Sequence, residues 1–228
     1  MSRTIEQLVN RQFLRWMEQQ KVQTKRDQPE AVEQKPMIVM SREYGARGAE
    51  VGRLAAERLG FQFHSQELVH EISKQARVRQ QLVASLDERA RDDIEQWVTE
   101  LMDGGAFSPT DYLRNLSKVI LSLGRHGKGV IVGRGAQYIL NPKKTLRVRA
   151  IAPLDARVRR IAARDGLSRG EARTKVLRID SERTAFYRQH FDEDQADPHD
   201  YDLLINTATL PVEACVEMVV KGFRARFR

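Results

Sequence analysis

In the run SREYGARGAE, Gly45 and Gly48 lie beside Arg42 and Arg47, between a short apolar run at residues 37–40 and a segment in which Val51, Leu54, Ala55 and Leu59 recur at helical spacing. The chemistry such a loop offers is anion binding. Glycine lets the backbone take positive φ and approach a ligand closely, and the free N–H groups and dipole at a helix start attract phosphate. A complete phosphate loop, G-x-x-x-x-G-K-[ST], adds a lysine for the β and γ phosphates and a hydroxyl for magnesium. Glu43, Gly48, Ala49 and Glu50 stand at those positions here, so only Gly48 matches and the lysine is missing. The cations at hand are Arg42 and Arg47, and a guanidinium binds phosphate through several donors at once. Every βα unit contains a strand, a turn and a helix, so this loop alone leaves an ordinary βα turn open.

Two further arginine settings carry chemistry. In VIVGRGAQYIL an apolar run ends in Gly133, Arg134 and Gly135, which holds an arginine at the end of a strand between two residues that permit close approach. An anion ligand fits there, as does a plain turn with a surface arginine. Further on, Arg157, Arg160 and Arg164 recur at helical spacing, and Arg178, Arg183 and Arg188 punctuate the segment after Gly166. A charge run is often a solvated face, and clustered arginines also track nucleic-acid backbones. Stabilising the charge on phosphoryl oxygens in transfer is the third use.

The elements that must position these residues alternate. After the first strand and helix come a short strand at 61–63, helices at 65–76 and 80–102 with a break at 77–79, a loop at 104–109 and a helix at 111–126. Strands at 129–132, 146–151 and 203–205 follow, with helices between and after them. Such alternation predicts a parallel sheet covered on both faces, with ligands at the carboxyl ends of the strands. Before the sheet, Ile5, Leu8, Val9, Phe13, Trp16 and Met17 form a helical stripe, followed by a polar, proline-bounded linker. That apolar face is expected to pack on the domain, on a second copy in a homodimer or on a partner protein. Glu6 and Glu18 interrupt the basic face that a membrane helix wants.

With 228 residues and 41% hydrophobic content, the chain can bury one good core. The net charge of +8 favours an anionic partner. The single cysteine, Cys215, excludes an internal disulfide and fits a helical core position. No apolar run approaches the roughly 18 residues of a spanning helix, so a cytoplasmic protein without membrane association is expected. His64, His70, His126, His190 and His199 share no metal-ligand spacing, and His64 falls at a strand end near the expected acceptor. Trp16 and Trp97 fall on apolar helical faces, as core or interface residues.

From residue 37 to the C-terminus the chain resembles the cytidylate kinase-like proteins, relatives of bacterial cytidylate kinase within the P-loop nucleoside monophosphate kinases. Five ordered blocks carry the resemblance: SREYGARG, VIVGRGAQYIL, IAPLDARVRRIAARDG, SERTAFYRQHF and YDLLINTATLPVEACVEMV. It implies a three-layer α/β P-loop NTPase fold with a five-stranded parallel sheet and a helical lid at about 157–195, in a domain spanning 36–228 behind an N-terminal helical extension, 1–35. It also implies transfer of the γ-phosphoryl group of ATP, with Mg²⁺, to a nucleoside monophosphate such as CMP or dCMP; nucleic acid is not the expected partner. A nucleotide-binding or regulatory protein on the same scaffold is the alternative.

Carried onto this chain, the resemblance places Ser41, Arg42, Gly45, Ala46, Arg47, Gly48, Ala49 and Glu50 around the ATP phosphates. Asn206 and Thr207 fall near the adenine end. Arg134 holds the acceptor, with Ser65, Arg157 and Arg178 on the same side, and Arg160 opens the helix leading to the lid. Arg47, Arg183 and Arg188 act on the phosphates in transfer. The metal ligands stay unassigned, with Glu43 and Glu50 as the nearby acids. Three departures accompany the match: Ala49 where relatives often carry a basic residue, Ser65 where they tend to carry aspartate, and Val132, Gly135 and Gln137 around a Gly-Arg turn that in cytidylate kinase bears aspartates.

Overall fold

The computed structural model describes residues 34–103, 110–191 and 196–227. The N-terminal helix, most of its linker and the loop at 104–109 lie outside them. Five strands, β1 (Met37–Arg42), β2 (Gln62–His64), β3 (Gly129–Val132), β4 (Thr145–Ile151) and β5 (Leu203–Asn206), form one sheet in the order β2-β3-β1-β4-β5. Every pairing is parallel. β1 reads as a continuous apolar run because both of its faces are covered, which is the rule for strands in parallel sheets. Met37 and Val39 enter one core and Ile38 and Met40 the other.

The second core is closed by α1 (Gly48–Leu59) and α9 (Val212–Arg226), whose Val51, Ala55, Val216 and Val219 meet Val130, Leu146 and Val148. Cys215 is fully buried there. The first core is roofed by α2 (Gln66–Lys74), α3 (Ala76–Ala84), α4 (Glu88–Asp103) and α5 (Asp111–His126). Ser65 caps α2 by accepting from the Leu68 N–H, and Thr110 caps α5 by accepting from Leu113. A one-turn helix, α6 (Ala136–Ile139), follows β3. The remaining helices, α7 (Leu154–Asp165) and α8 (Arg169–Phe191), share a small core of Val158, Ile161, Ala172 and Val176 against the partly buried Tyr44. They cover most of the expected lid; residues 192–195 lie outside the described set.

Some boundaries differ from the sequence reading. The helices before α5 break at Gln75 and again at 85–87, not at 77–79. Arg79 lies inside α3 and donates to the Ser73 carbonyl at the end of α2. At the second break the Ser85 hydroxyl donates back to Leu82, and Asp87 accepts the Ala90 N–H as a new cap. Polar side chains that compete for backbone groups divide what periodicity reads as one helix. Trp97 is 43% exposed, so it is not a core residue.

His64 also needs correction. It is buried, with Nε2 close to Gly129 at the beginning of β3, which places the ring toward His126 and not over the strand's carboxyl end. Burial, then the charge of His126, pulls the His64 pKa down to about 4; burial and Lys35 do the same to His126, also to about 4. An unfolded histidine titrates near 6.5. The unfolded chain therefore binds more protons between those values, so stability present above pH 6.5 is lost as pH falls toward 4, by up to about 3 kcal/mol for each ring. The urea midpoint should drop between pH 7 and pH 5, and His64→Gln should flatten that drop.

Candidate active site

The loop leaves the carboxyl end of β1 and climbs to α1. Arg47, the residue before α1, has φ 57°, and the helix begins without a side-chain cap. The first N–H groups of a helix have no intrahelical acceptor, and its dipole leaves positive charge there. A left-handed residue leading into an uncapped helix is a cradle for an anion. Gly48 is fixed by space: a Cβ would lie 2.6 Å from the Cβ of Arg42 and 2.9 Å from that of Ala150. The helix start can therefore sit directly on the Arg42 stem.

The loop is held from three sides. From α8, Asp180 accepts the Tyr44 N–H at 2.8 Å and takes the Arg157 guanidinium on its other oxygen. Arg157, buried on α7, also donates to the Ala152 and Tyr44 carbonyls and pairs with Glu43 at 3.3 Å. From β5, the buried Thr207 hydroxyl donates to the Ala46 carbonyl at 2.9 Å, while Arg160 bridges Thr207 to the Gly45 carbonyl. The Tyr44 ring has the guanidinium carbons of Arg164 and Arg183 each 5.5 Å from its centre, and Arg164 donates to the Tyr44 hydroxyl at 2.7 Å.

Beyond the loop, three arginines from three elements converge. Arg42 donates to the side-chain oxygen of Gln66 at 2.6 Å, and its guanidinium lies over Gly133, where a Cβ would come within 2.3 Å of Nη1. Arg183 donates to the Arg42 carbonyl at 3.0 Å. Arg134, left-handed at φ 59°, lies 5.5 Å from the centre of the Phe186 ring. Among the described residues no carboxylate pairs with any of the three. Burial, then the charge of Arg183, pulls the Arg42 pKa down to about 9, and burial lowers that of Arg183. Among the described residues Nε of Arg134, Nε of Arg183 and Nδ1 of His190 are buried without a hydrogen-bond partner. Unpaired buried donors of this kind are costly in a merely structural role. His70 and His190 are held below the usual histidine range by burial and by Arg134.

Of the residues expected in the site, Arg42, Arg134 and Arg183 meet, and Gly45, Ala46, Gly48 and Ala49 form the loop and helix start. Arg47 is drawn instead to Glu50 through two exposed hydrogen bonds of 2.7 and 2.9 Å. Ser41 lies beneath the site, fully buried, accepting from Arg149 and Tyr201. Ser65 is occupied as a helix cap and Thr207 as a loop support, while Asn206 accepts the Ala208 N–H in the exposed turn after β5. Arg157 is not open to a substrate, because the protein takes up its donors; it positions the loop. Arg178 is paired with Glu182 on the exposed side of α8, and Arg188 is exposed without a contact to the loop among the described residues. Of the nearby acids, Glu43 is held by the Ala152 N–H and Glu50 by Arg47.

Sequence reasoning passed over Asp180, Tyr44, Gln66 and His190. The signal for Asp180 was an acid three residues before Arg183 in an arginine-rich helix, and for Tyr44 an aromatic inside a glycine loop. Gly135 has no room for a side chain, since a Cβ there would lie 2.1 Å from the Phe191 ring.

The model describing the cytidylate kinase-like family matches residues 37–209. Over 183 residues the chain is 27% identical to the cytidylate kinase of Ignicoccus hospitalis, covering 80% of this chain and 96% of that one. A 100-residue segment is 31% identical to a uronate isomerase of Corynebacterium glutamicum, covering 43% of this chain and 19% of that one. Among solved structures, an uncharacterized protein from Eubacterium ventriosum has a similar fold, with a TM-score of 0.58 at 19% identity over 84% of this chain and 99% of that one. No described helix is long and apolar enough to cross a membrane.

The loop's dependence on α8 is testable through Asp180. Asp180→Ala removes the acceptor of the Tyr44 N–H and leaves buried Arg157 with Glu43 alone. Breaking a buried pair from one side is costly, and because the Asp180 side chain is 27% exposed a loss of about 1–3 kcal/mol is expected. Urea unfolding should report that loss, and hydrogen exchange should show the Tyr44 amide losing protection.

Proposed function

The chain belongs to the cytidylate kinase-like family, and on that premise we propose that it transfers the γ-phosphoryl group of ATP to a (deoxy)cytidine monophosphate-type acceptor. The observation that carries this reading is the meeting of Arg42, Arg134 and Arg183 beside an uncapped helix start, with unpaired guanidinium nitrogens and no carboxylate paired to any of the three among the described residues. Such a site suits two phosphate-bearing ligands placed end to end.

ATP supplies the phosphoryl group and Mg²⁺ travels on its phosphates. Among the described residues no three His, Cys, Asp or Glu side chains gather to hold a metal, and magnesium in phosphoryl-transfer sites needs only one or two carboxylates besides the phosphates. The loop 43–47 and the start of α1 hold the donor phosphates. Arg134, fixed at the end of β3, holds the acceptor phosphate, and Arg183 reaches in from the lid helix. His190, whose Nδ1 has no partner among the described residues and which feels the charge of Arg134, would address the rest of the acceptor. An acceptor phosphate oxygen attacks the γ-phosphorus as the bond to the β-bridging oxygen breaks, giving ADP and a nucleoside diphosphate. No protein group forms a covalent bond; the protein positions the reactants and stabilises charge.

The test is ADP release from MgATP with CMP, dCMP, UMP, AMP and GMP in turn. Turnover with a cytidine acceptor is expected, and MgATP binding without turnover on any acceptor would assign the scaffold to nucleotide binding alone. Arg134→Ala should stay folded, since alanine meets the same left-handed backbone cost as arginine. It should raise the acceptor KM roughly 10- to 100-fold, the worth of a hydrogen bond to a charged group.

A further inference from the structure

The missing loop lysine leaves a role unfilled, and two arginines compete for it. Arg47 stands two residues before Ala49, which occupies the lysine's place in the sequence, and its guanidinium is bound to Glu50 on the exposed side of the loop. Arg42 has the geometry. Its stem underlies Gly48 at the start of α1, and its guanidinium lies over Gly133, next to Arg134 in the acceptor turn. It therefore spans the two places where donor and acceptor phosphates would be held. Among the described residues its one side-chain hydrogen-bond partner is the neutral oxygen of Gln66, and its carbonyl accepts from Arg183 of α8. Glu67 acts on it only through space and is itself exposed.

The geometry points to Arg42 as the catalytic cation of this enzyme, doing the work of the absent lysine by contacting the phosphoryl group in transit. The inference rests on the kinase reading above. As the acceptor oxygen bonds to the γ-phosphorus, the electron pair of the breaking bond leaves on the β-phosphate oxygen. Arg42 neither gives nor takes a proton; it donates hydrogen bonds to the equatorial oxygens, whose charge is most spread at that moment. Gln66 holds the guanidinium without neutralising it. An acid at residue 66 would compete with phosphate for the same donors.

The experiment compares wild type with Arg42→Met, Arg42→Lys, Gln66→Glu and Arg47→Gln in MgATP turnover, thermal unfolding and titration with metal-free inorganic tripolyphosphate. Arg42→Met keeps the length of the stem and should lower kcat roughly 100- to 1000-fold, the usual cost of one transition-state donor, while acceptor KM moves by less than about threefold. Its thermal midpoint should hold or rise, because an unpaired buried charge has been removed. Arg42→Lys should recover part of the rate, and Gln66→Glu should lower kcat without loss of fold. A lowered midpoint with kcat retained in Arg42→Met would make Arg42 structural, and a larger kcat loss in Arg47→Gln would give the role to Arg47; either overturns the inference. If wild type turns over no acceptor, the kinase reading fails and the titration still decides. Tripolyphosphate affinity falling about tenfold or more in Arg42→Met, beyond any fall in Arg47→Gln, supports Arg42 as the phosphate cation, and unchanged affinity refutes it.

Discussion

Like charges brought together out of water repel, and Arg42, Arg134 and Arg183 are held together against that repulsion without an ion pair to any carboxylate among the described residues. Something must hold each guanidinium in place. The backbone supplies the anchors, since Arg42 ends the central strand and Arg134 sits in the turn after its neighbour β3. Parallel strands put both at the same edge of the sheet. Both strands are buried on two faces, so the apolar cores beneath oppose the electrostatic cost at their ends.

Arg183 is anchored differently, and the lid depends on the difference. It comes from α8, whose core shared with α7 is small and whose Tyr187 and Phe191 enter the first core further along, so its hold on the loop itself is mostly polar. Asp180, one turn before Arg183, caps the Tyr44 amide and pairs with Arg157, and Tyr44 in turn receives Arg164 and Arg183 on and around its ring. One acid and one tyrosine thus register α8 on the glycine loop. The half of α8 that packs on α7 and the loop is thus tied mainly by polar contacts, while Tyr187 and Phe191 fix its other end in the first core.

The sheet was legible in the sequence because its signal is strong and local. Apolar runs gave all five strands, with β3 at its observed bounds, β2, β4 and β5 within a residue, and β1 two residues short because Ser41 and Arg42 continue it past the apolar run. Helix breaks were harder, since at 85–87 they arise from serine and aspartate bonding to nearby backbone, which periodicity does not register. The site was legible in its residue types and only partly in their roles. Arg42, Arg134 and Arg183 were named, but so were Arg157 and Arg178, whose partners Glu43, Asp180 and Glu182 appear only when the chain is folded. His64 was misplaced because a strand end fixes a backbone position and leaves the direction of the side chain open.

The distinction that sequence could not draw is therefore the one that sorts these arginines. An arginine with a carboxylate is a fastener, and its donors are already used: Arg157 ties loop to lid, Arg164 is held by Asp165, and Arg47 closes on Glu50. An arginine held by a carbonyl, an amide oxygen or a ring keeps its charge available. Arg42 has Gln66, Arg183 has the Arg42 carbonyl and the Tyr44 ring, and Arg134 has Phe186. Neutral partners fix the geometry of a guanidinium without cancelling its field, which is what a charge waiting for phosphate requires. A lysine on a flexible stem is a point charge; a guanidinium has a planar fork that several neutral acceptors can orient at once. On the proposed kinase reading the chain can dispense with a lysine in the loop, because the strand end beneath it presents a cation whose direction is already set.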